Sequence, residues 1–409
     1  MEIEDLNPWW ITGKVQEEFQ NTEKKEMFNE VCKFLSKRQV LAITGMRRTG
    51  KSYLIYQLIE ELLKSTKKEN ILYVSFDLIS DKIETFLQAY KEIVGVDYSK
   101  EKIYVFLDEI QKREGWENEL KLFYDNYPNI KFIITGSARL LIEKKKGESL
   151  AGRIYTFISK PLSFREYLRI KKSEIDLDKP LLYKEKIKKE FQHYLLVGGF
   201  PELIFEKDRA VIFKYIKETV IDRIIFLDIP SCFDIDEPEL LRRIFAIISA
   251  NPGMIVDYTN LASDLDRSRR TISKYLDFLE KSFLIRKIFN YSKNKLTSEK
   301  KSKKIYPSST GFGYFYSADE GKIIESYVAN FFETEFFYRK LSKEIDFVLE
   351  GVLIEVKYRN DVKERDLKFV KKFLKENKFK RLLIITKDLK KKDKKVLYFP
   401  VCFLGLVDF

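Results

Sequence analysis

The chain has one histidine, His193, and three cysteines, Cys32, Cys232 and Cys402, far apart and without C-x-x-C spacing. Zinc centres need clustered ligands and disulfide frameworks need paired thiols, so this pattern argues against both. Glycine and proline are scarce, 16 and 10 residues in 409, which argues against long disordered or low-complexity segments. No internal repeat is visible. No apolar run approaches the length of a membrane span, and Met1-Glu2-Ile3-Glu4-Asp5 is acidic where a signal peptide is basic and then apolar. The expectation is a cytoplasmic protein with no membrane partner.

With 44% hydrophobic residues, a chain of this length has material for two or three cores. The formal charge of +13 suits a polyanionic partner, but high Lys and Glu usage is also a habit of heat-adapted proteins, so charge alone is weak support for nucleic-acid binding.

The densest chemistry lies at Gly45-Met46-Arg47-Arg48-Thr49-Gly50-Lys51-Ser52. The spacing G-x-x-x-x-G-K-[ST] lets the backbone curl round a polyphosphate with its N–H groups inward, and the following helix adds its positive end. An apolar run, Val40 to Thr44, precedes the loop, and Tyr53 to Ile59 reads as the helix after it. Lys51 is expected on the β- and γ-phosphates and Ser52 on Mg²⁺, with Tyr53 a further nucleotide contact. Lys102 to Leu107 is a strand-like run ending in Asp108-Glu109, a Walker B pattern. It delivers Asp108 to the Mg²⁺ on Ser52 and Glu109 to the attacking water. Another strand, Lys131 to Thr135, leads into Gly136-Ser137-Ala138-Arg139; Thr135 or Ser137 either senses the γ-phosphate or caps the next helix. No Asn-Lys-x-Asp guanine-reading motif occurs, which is compatible with ATP.

Leu107-Asp108-Glu109-Ile110-Gln111, Thr135-Gly136-Ser137, Leu150-Ala151-Gly152-Arg153, Pro161 to Tyr167 and Gly198-Gly199-Phe200-Pro201-Glu202 follow the phosphate loop in order. Together these motifs resemble a large prokaryotic family of AAA-type ATPases with a poorly characterised C-terminal domain. The resemblance implies an α/β fold with a five-stranded parallel sheet in the order 5-1-4-3-2 over 38–160, a helical lid over 161–239, ATP as nucleotide and a possible homo-oligomer. In ring-forming relatives an arginine near the position of Arg153 reaches the neighbour's γ-phosphate; the plain alternative is a surface arginine tying down its own loop. The Gly-Gly-Phe-Pro-Glu turn is given no chemistry.

From 240 to 291 the pattern resembles a winged helix, with Ser268 as N-cap and Arg267, Arg269, Arg270 and Lys274 on or beside the helix that enters a major groove. Protein packing is the equal alternative. Phe283 to Ile288 reads as a wing strand, and Ser292 to Lys304 as a solvated basic loop opening a linker over 292–320.

The last domain is expected over 321–409, and from Gly321 to Thr386 its order of elements is helix, three strands, helix, strand. Glu344 to Leu349 and Val352 to Tyr358 form a hairpin turning at Glu350-Gly351. Glu355 and Lys357 share one strand face. This resembles the PD-(D/E)XK nuclease core, with Ile345 where a proline is usual. The resemblance implies that Asp346, Glu355 and Glu325 meet at one Mg²⁺ and that Lys357 orients or activates a water. Three readings follow: an ATP-driven DNA-processing enzyme with a nuclease, a regulatory ATPase whose C-terminal modules bind protein, and a DNA-binding regulator that does not cut.

Overall fold

The computed structural model describes residues 3–79, 81–137, 150, 152–292 and 302–408. It divides into two compact units, Met1–Leu162 and Ser163–Phe409.

The first unit is built on five parallel strands, β1 (Val40–Gly45), β2 (Ile71–Ser75), β3 (Ile103–Asp108), β4 (Ile130–Gly136) and β5 (Ile154–Ser159), in the order β2-β3-β4-β1-β5. That is the expected order. Parallel strands are covered on both faces, which is why β1 and β4 are buried along their whole length. The helices Lys51–Leu62, Ile83–Val94 and Trp116–Asn126 supply the cover. β2 is an edge strand, and the N-terminal segment closes it with side chains. Asn7 donates to Tyr73 O at 2.9 Å and accepts from Tyr73 N–H at 2.7 Å, while the indoles of Trp9 and Trp10 both donate to Ile71 O. Such pairing blunts an edge that otherwise recruits other strands. The same N-terminal segment carries a short helix, Phe28–Cys32.

In the second unit, the helix Phe164–Ile170 starts on a capping box between Ser163 and Glu166. The helix Lys184–Val197 ends at Gly198, with φ 66°. A Cβ there would collide with Ser309, whose hydroxyl donates to Gly198 O at 2.8 Å. Close packing therefore explains the glycine of Gly-Gly-Phe-Pro-Glu.

Then come the helix Pro238–Ala250, β6 (Met254–Val256), the helices Tyr258–Asp264 and Arg269–Lys281, β7 (Ile285–Asn290) and β8 (Lys303–Pro307). β8 pairs antiparallel with both β6 and β7. This corrects the linker expected over 292–320: Lys303 and Lys304 begin a strand, and Thr310–Phe315 is helical. Consecutive lysines look like solvated loop until distant carboxylates are seen to neutralise one of them. Residues 293–301 of the expected loop lie outside the described residues.

The helix Glu320–Phe332 leads to β9 (Phe336–Lys340), β10 (Lys343–Leu349), β11 (Val352–Lys357), the helix Glu364–Glu376, β12 (Arg381–Thr386), β13 (Lys391–Asp393) and β14 (Val396–Pro400). β10 and β11 form the expected hairpin, with Gly351 at φ 75° in its turn. The two modules expected to be separate share one nine-stranded sheet, joined where β7 runs parallel to β9. Among the described residues no helix is long and apolar enough to cross a membrane.

Candidate nucleotide site and a second acidic centre

The phosphate-loop residues sit between β1 and the helix Lys51–Leu62, where the sequence puts them. Gly45 has φ 151°, and a side chain there would strike the Ser159 carbonyl on β5. Gly50 at φ 82° and Arg48 at φ 63° complete the turn. Arg47 is partly buried, and Tyr53 is 44% exposed. The Lys51 ammonium reaches back to donate to Met46 O at 3.2 Å, and Thr49 Oγ1 donates to the same carbonyl at 2.9 Å.

At the end of β3, Asp108 is only 4% exposed. Its Oδ2 accepts from Ser52 Oγ and from Tyr73 OH, each at 3.0 Å, and its Oδ1 accepts from Thr135 Oγ1. Burial pushes its carboxyl above the usual range, against the three hydroxyl donors. Thr135 also accepts the Glu109 N–H, and the Glu109 carboxylate accepts from Gln111. Glu109 itself is left-handed, at φ 53°. Ser137 is buried, and its carbonyl accepts from Thr44 Oγ1 at 3.2 Å. Of the two hydroxyls named from the sequence, Thr135 is the one joined to the acids. Ala138 and Arg139 lie outside the described residues.

Sequence reasoning missed Tyr73, Gln111 and Lys25. The Lys25 ammonium, on a side chain 7% exposed, donates to Thr49 O at 2.6 Å and to Lys160 O at 3.3 Å. It ties the N-terminal segment to the phosphate loop, and no motif announces it. Arg153 is bound to Asp125, with Nε at 3.0 Å and Nη2 at 3.2 Å, and lies over the Tyr124 ring. Donor-bearing hydroxyls and a buried carboxylate at Ser52 and Asp108 are the oxygen chemistry that Mg²⁺ prefers.

The C-terminal carboxylates also meet. Glu325 comes from the helix Glu320–Phe332, Glu344 and Asp346 from one face of β10, and Glu355 and Lys357 from one face of β11. The sequence did not anticipate the cation among them. Lys304, 2% exposed, brings its Nζ to 3.0 Å from Glu325, 2.6 Å from Glu344 and 3.9 Å from Asp346. Lys322 holds the other Glu325 oxygen at 2.9 Å, Tyr306 OH donates to Glu325 at 2.6 Å, and Lys357 donates to Glu355 at 2.6 Å. Asp346 Oδ2 accepts the Val356 N–H at 2.8 Å, and among the described residues Glu355 Oε1 has no hydrogen-bond donor.

Burial opposes the Lys304 charge, but Glu325, Asp346 and Glu344 outweigh it and hold its pKa above the usual lysine value. Burial pushes Asp346 up, assisted by Glu325, and pushes Glu355 up to about 8, assisted by Asp346. Among the described residues no three His, Cys, Asp or Glu side chains are grouped as a metal site.

On the helix Arg269–Lys281, Arg269 and Arg270 are exposed. Arg267 is paired with Glu237, Nε to Oε1 at 3.0 Å, and Lys274 donates to Asp234 O at 3.1 Å.

Residues 37–168 match the family described as an AAA domain, and residues 188–318 match a domain of unknown function, DUF8612. An uncharacterized protein of Methanocaldococcus jannaschii is 28% identical over 361 residues, spanning 83% of this chain and 80% of its own length. A second uncharacterized protein of that organism is 31% identical over 301 residues, 66% of this chain and 62% of the relative. Among solved structures, a Walker-type ATPase of Pyrococcus abyssi is similar at 17% identity and TM-score 0.43, over 74% of this chain and 98% of that one.

Proposed function

We propose, from the premise that residues 37–168 form an AAA-type ATPase domain, that the protein binds and hydrolyses ATP at the phosphate loop. The observation that carries this reading is the Ser52–Asp108 hydrogen bond, with Thr135 joining Asp108 to the Glu109 backbone. The N–H groups of residues 45–52 cradle the phosphates, and Lys51 meets the β- and γ-phosphates. Ser52 and Asp108 are the residues that would hold Mg²⁺, which when bound offsets phosphate charge. Glu109, anchored through its N–H and by Gln111, orients the attacking water; Thr135 senses the γ-phosphate, with Ser137 and Tyr53 at the margin of the site. Lys51→Ala is expected to abolish turnover. Undiminished hydrolysis would remove the assignment.

Arg153 is the candidate finger for a neighbouring copy in a homo-oligomer. Its pair with Asp125 is partly exposed, and such pairs are worth at most about 1 kcal/mol, little enough to exchange for a phosphate.

A second reading concerns what hydrolysis serves. The order helix, strand, helix, helix, strand, strand over residues 238–307 supports a winged helix, and exposed Arg269 and Arg270 suit phosphate contact with DNA. The order helix, three strands, helix, strand supports a PD-(D/E)XK-like domain. Lys304 among its carboxylates favours a domain that binds rather than cuts. The protein is then a regulatory ATPase that docks on DNA. Its DNA affinity is expected to fall steeply with salt, with single- and double-stranded DNA left intact in Mg²⁺ or Mn²⁺. Salt-independent binding would count against DNA as the partner.

A further inference from the structure

We infer that Lys304 is the resident cation of the C-terminal acidic centre: its ammonium stands among Glu325, Glu344 and Asp346 in place of a divalent metal, and closes the centre to Mg²⁺ and Mn²⁺. This deepens the reading of the domain as one that does not cut, and rests on it.

The geometry is that of a built site. Lys304 and Tyr306 alternate with Lys303 and Ile305 along β8, so both point to one face, and both are almost fully buried. A buried ammonium requires carboxylate partners, and this one has two within 3.0 Å. Tyr306 fastens Glu325 in turn. Gly253, at φ 76°, donates its N–H to Ile305 O at 2.8 Å, and a Cβ there would press within 3.0 Å of Glu325 and Tyr306. The backbone of the Asn251-Pro252-Gly253 turn is therefore shaped to let β8 reach the carboxylates.

A divalent metal does not fit these residues as they stand. Mg²⁺ keeps near-octahedral oxygen coordination and Ca²⁺ takes six to eight oxygens. Here the Glu325 oxygens are taken by Lys304, Tyr306 and Lys322, Glu344 by Lys304, Asp346 Oδ2 by Val356 N–H, and Glu355 Oε2 by Lys357. The oxygens left over among the described residues are Glu355 Oε1, Asp346 Oδ1, 3.9 Å from the Lys304 ammonium, and Glu344 Oε2, 3.6 Å from Arg339, so two of the three already face a cation. An ion bridging Asp346 and Glu355 would also face the Lys304 ammonium, 3.9 Å from Asp346 Oδ1, with little solvent to screen the repulsion. Three ammonium groups, Lys304, Lys322 and Lys357, already answer four carboxylates.

The consequence is structural as well as chemical. Lys304 belongs to the sheet segment β6–β8 and its partners to β10 and the helix Glu320–Phe332, so the ion cluster rivets the helix-rich module to the C-terminal one. Removing the lysine should both loosen that junction and uncover a latent metal site.

The test uses the full-length, nucleotide-free protein titrated with Mn²⁺, with bound ion followed by electron paramagnetic resonance and stability by thermal melting. Wild type and Asp346→Asn are expected to bind the same amount, since Mn²⁺ that Asp346→Asn leaves untouched lies elsewhere. Lys304→Met is expected to melt lower without metal, to gain one equivalent of Mn²⁺ and to recover stability with it. The double variant Lys304→Met, Asp346→Asn should lose that gain. If Lys304→Met does not fold, Lys304→Met with Glu344→Gln removes the lysine together with its 2.6 Å partner and is read the same way. Mn²⁺ bound by wild type but not by Asp346→Asn overturns the inference, as does a folded lysine variant that gains no ion. DNA docking fails or stands separately, on the salt series.

Discussion

The Glu109 backbone N–H donates to Thr135 Oγ1 at 3.1 Å, and the same hydroxyl donates to Asp108. One threonine on β4 therefore sets the position of both acids at the end of β3. The neighbouring strand β4 thus positions the two acids that follow one another at the end of β3.

Thr135→Val keeps the shape and removes the hydroxyl. It is expected to lower the single-turnover hydrolysis rate about 10²-fold, the usual cost of losing one positioned polar group, while nucleotide affinity stays within a few-fold. Ser137→Ala should change the rate less than about threefold, because its carbonyl rather than its hydroxyl is engaged. Equal losses in the two variants would return the sensor role to Ser137.

Lys25 spans the Thr49 and Lys160 carbonyls from a buried position. Charge-assisted hydrogen bonds contribute about 1.5–3 kcal/mol, so Lys25→Met is expected to weaken ATP binding about tenfold or more. Equilibrium titration with a fluorescent nucleotide checks it. Unchanged affinity with a lowered melting temperature would mean that Lys25 serves the fold alone.

Arg153→Ala is expected to slow hydrolysis at protein concentrations that support the oligomer, by about 10³-fold if the finger acts in trans, without altering ATP affinity. Asp125→Ala should not slow it. A stable monomer of Arg153→Ala turning over at the wild-type rate would withdraw the finger.

Lys131, at the start of β4, donates to Lys37 O, and its buried ammonium also meets Gln39 O. Burial, with Lys102 nearby, pulls its pKa down to about 7. Below that pH both folded and unfolded chains carry the proton, and the cost of burying the charge is fully present. Between pH 7 and the ordinary lysine value the unfolded chain binds more protons, so this residue's contribution to stability rises with pH. Denaturant unfolding at pH 7, 8.5 and 10 should show wild type gaining on Lys131→Met across the series; parallel curves would contradict it.

Each lysine or arginine that contacts a DNA phosphate adds about 0.9 to the slope of log K against log salt. The double variant Arg269→Ala, Arg270→Ala is expected to reduce the slope by about 2, while Arg267→Ala, which loses its pair with Glu237, leaves it unchanged. The reverse pattern would move the contact surface off this helix.

Part of this architecture is legible in the sequence. The strand order agrees with what the family resemblance implies, and the hairpin at Glu350-Gly351 agrees with its local pattern of strand-like runs around a turn. The strand at Lys303–Pro307 was not legible, since two lysines in a basic stretch carry no apolar signal. Nor was the choice between Thr135 and Ser137, two residues apart on one run.

The sequence by itself determined where the candidate nucleotide site lies, because a phosphate-loop motif is eight contiguous residues whose glycines and lysine need no distant partner to be recognised. Only the tertiary structure decided what fills the C-terminal acidic centre. Glu325, Asp346 and Glu355 show as candidate ligands in the sequence, but Glu344 does not, and whether a metal or an ammonium answers them depends on Lys304, carried in by β8. Burial forces charges to find partners through space, and sequence spacing does not record which partner arrives.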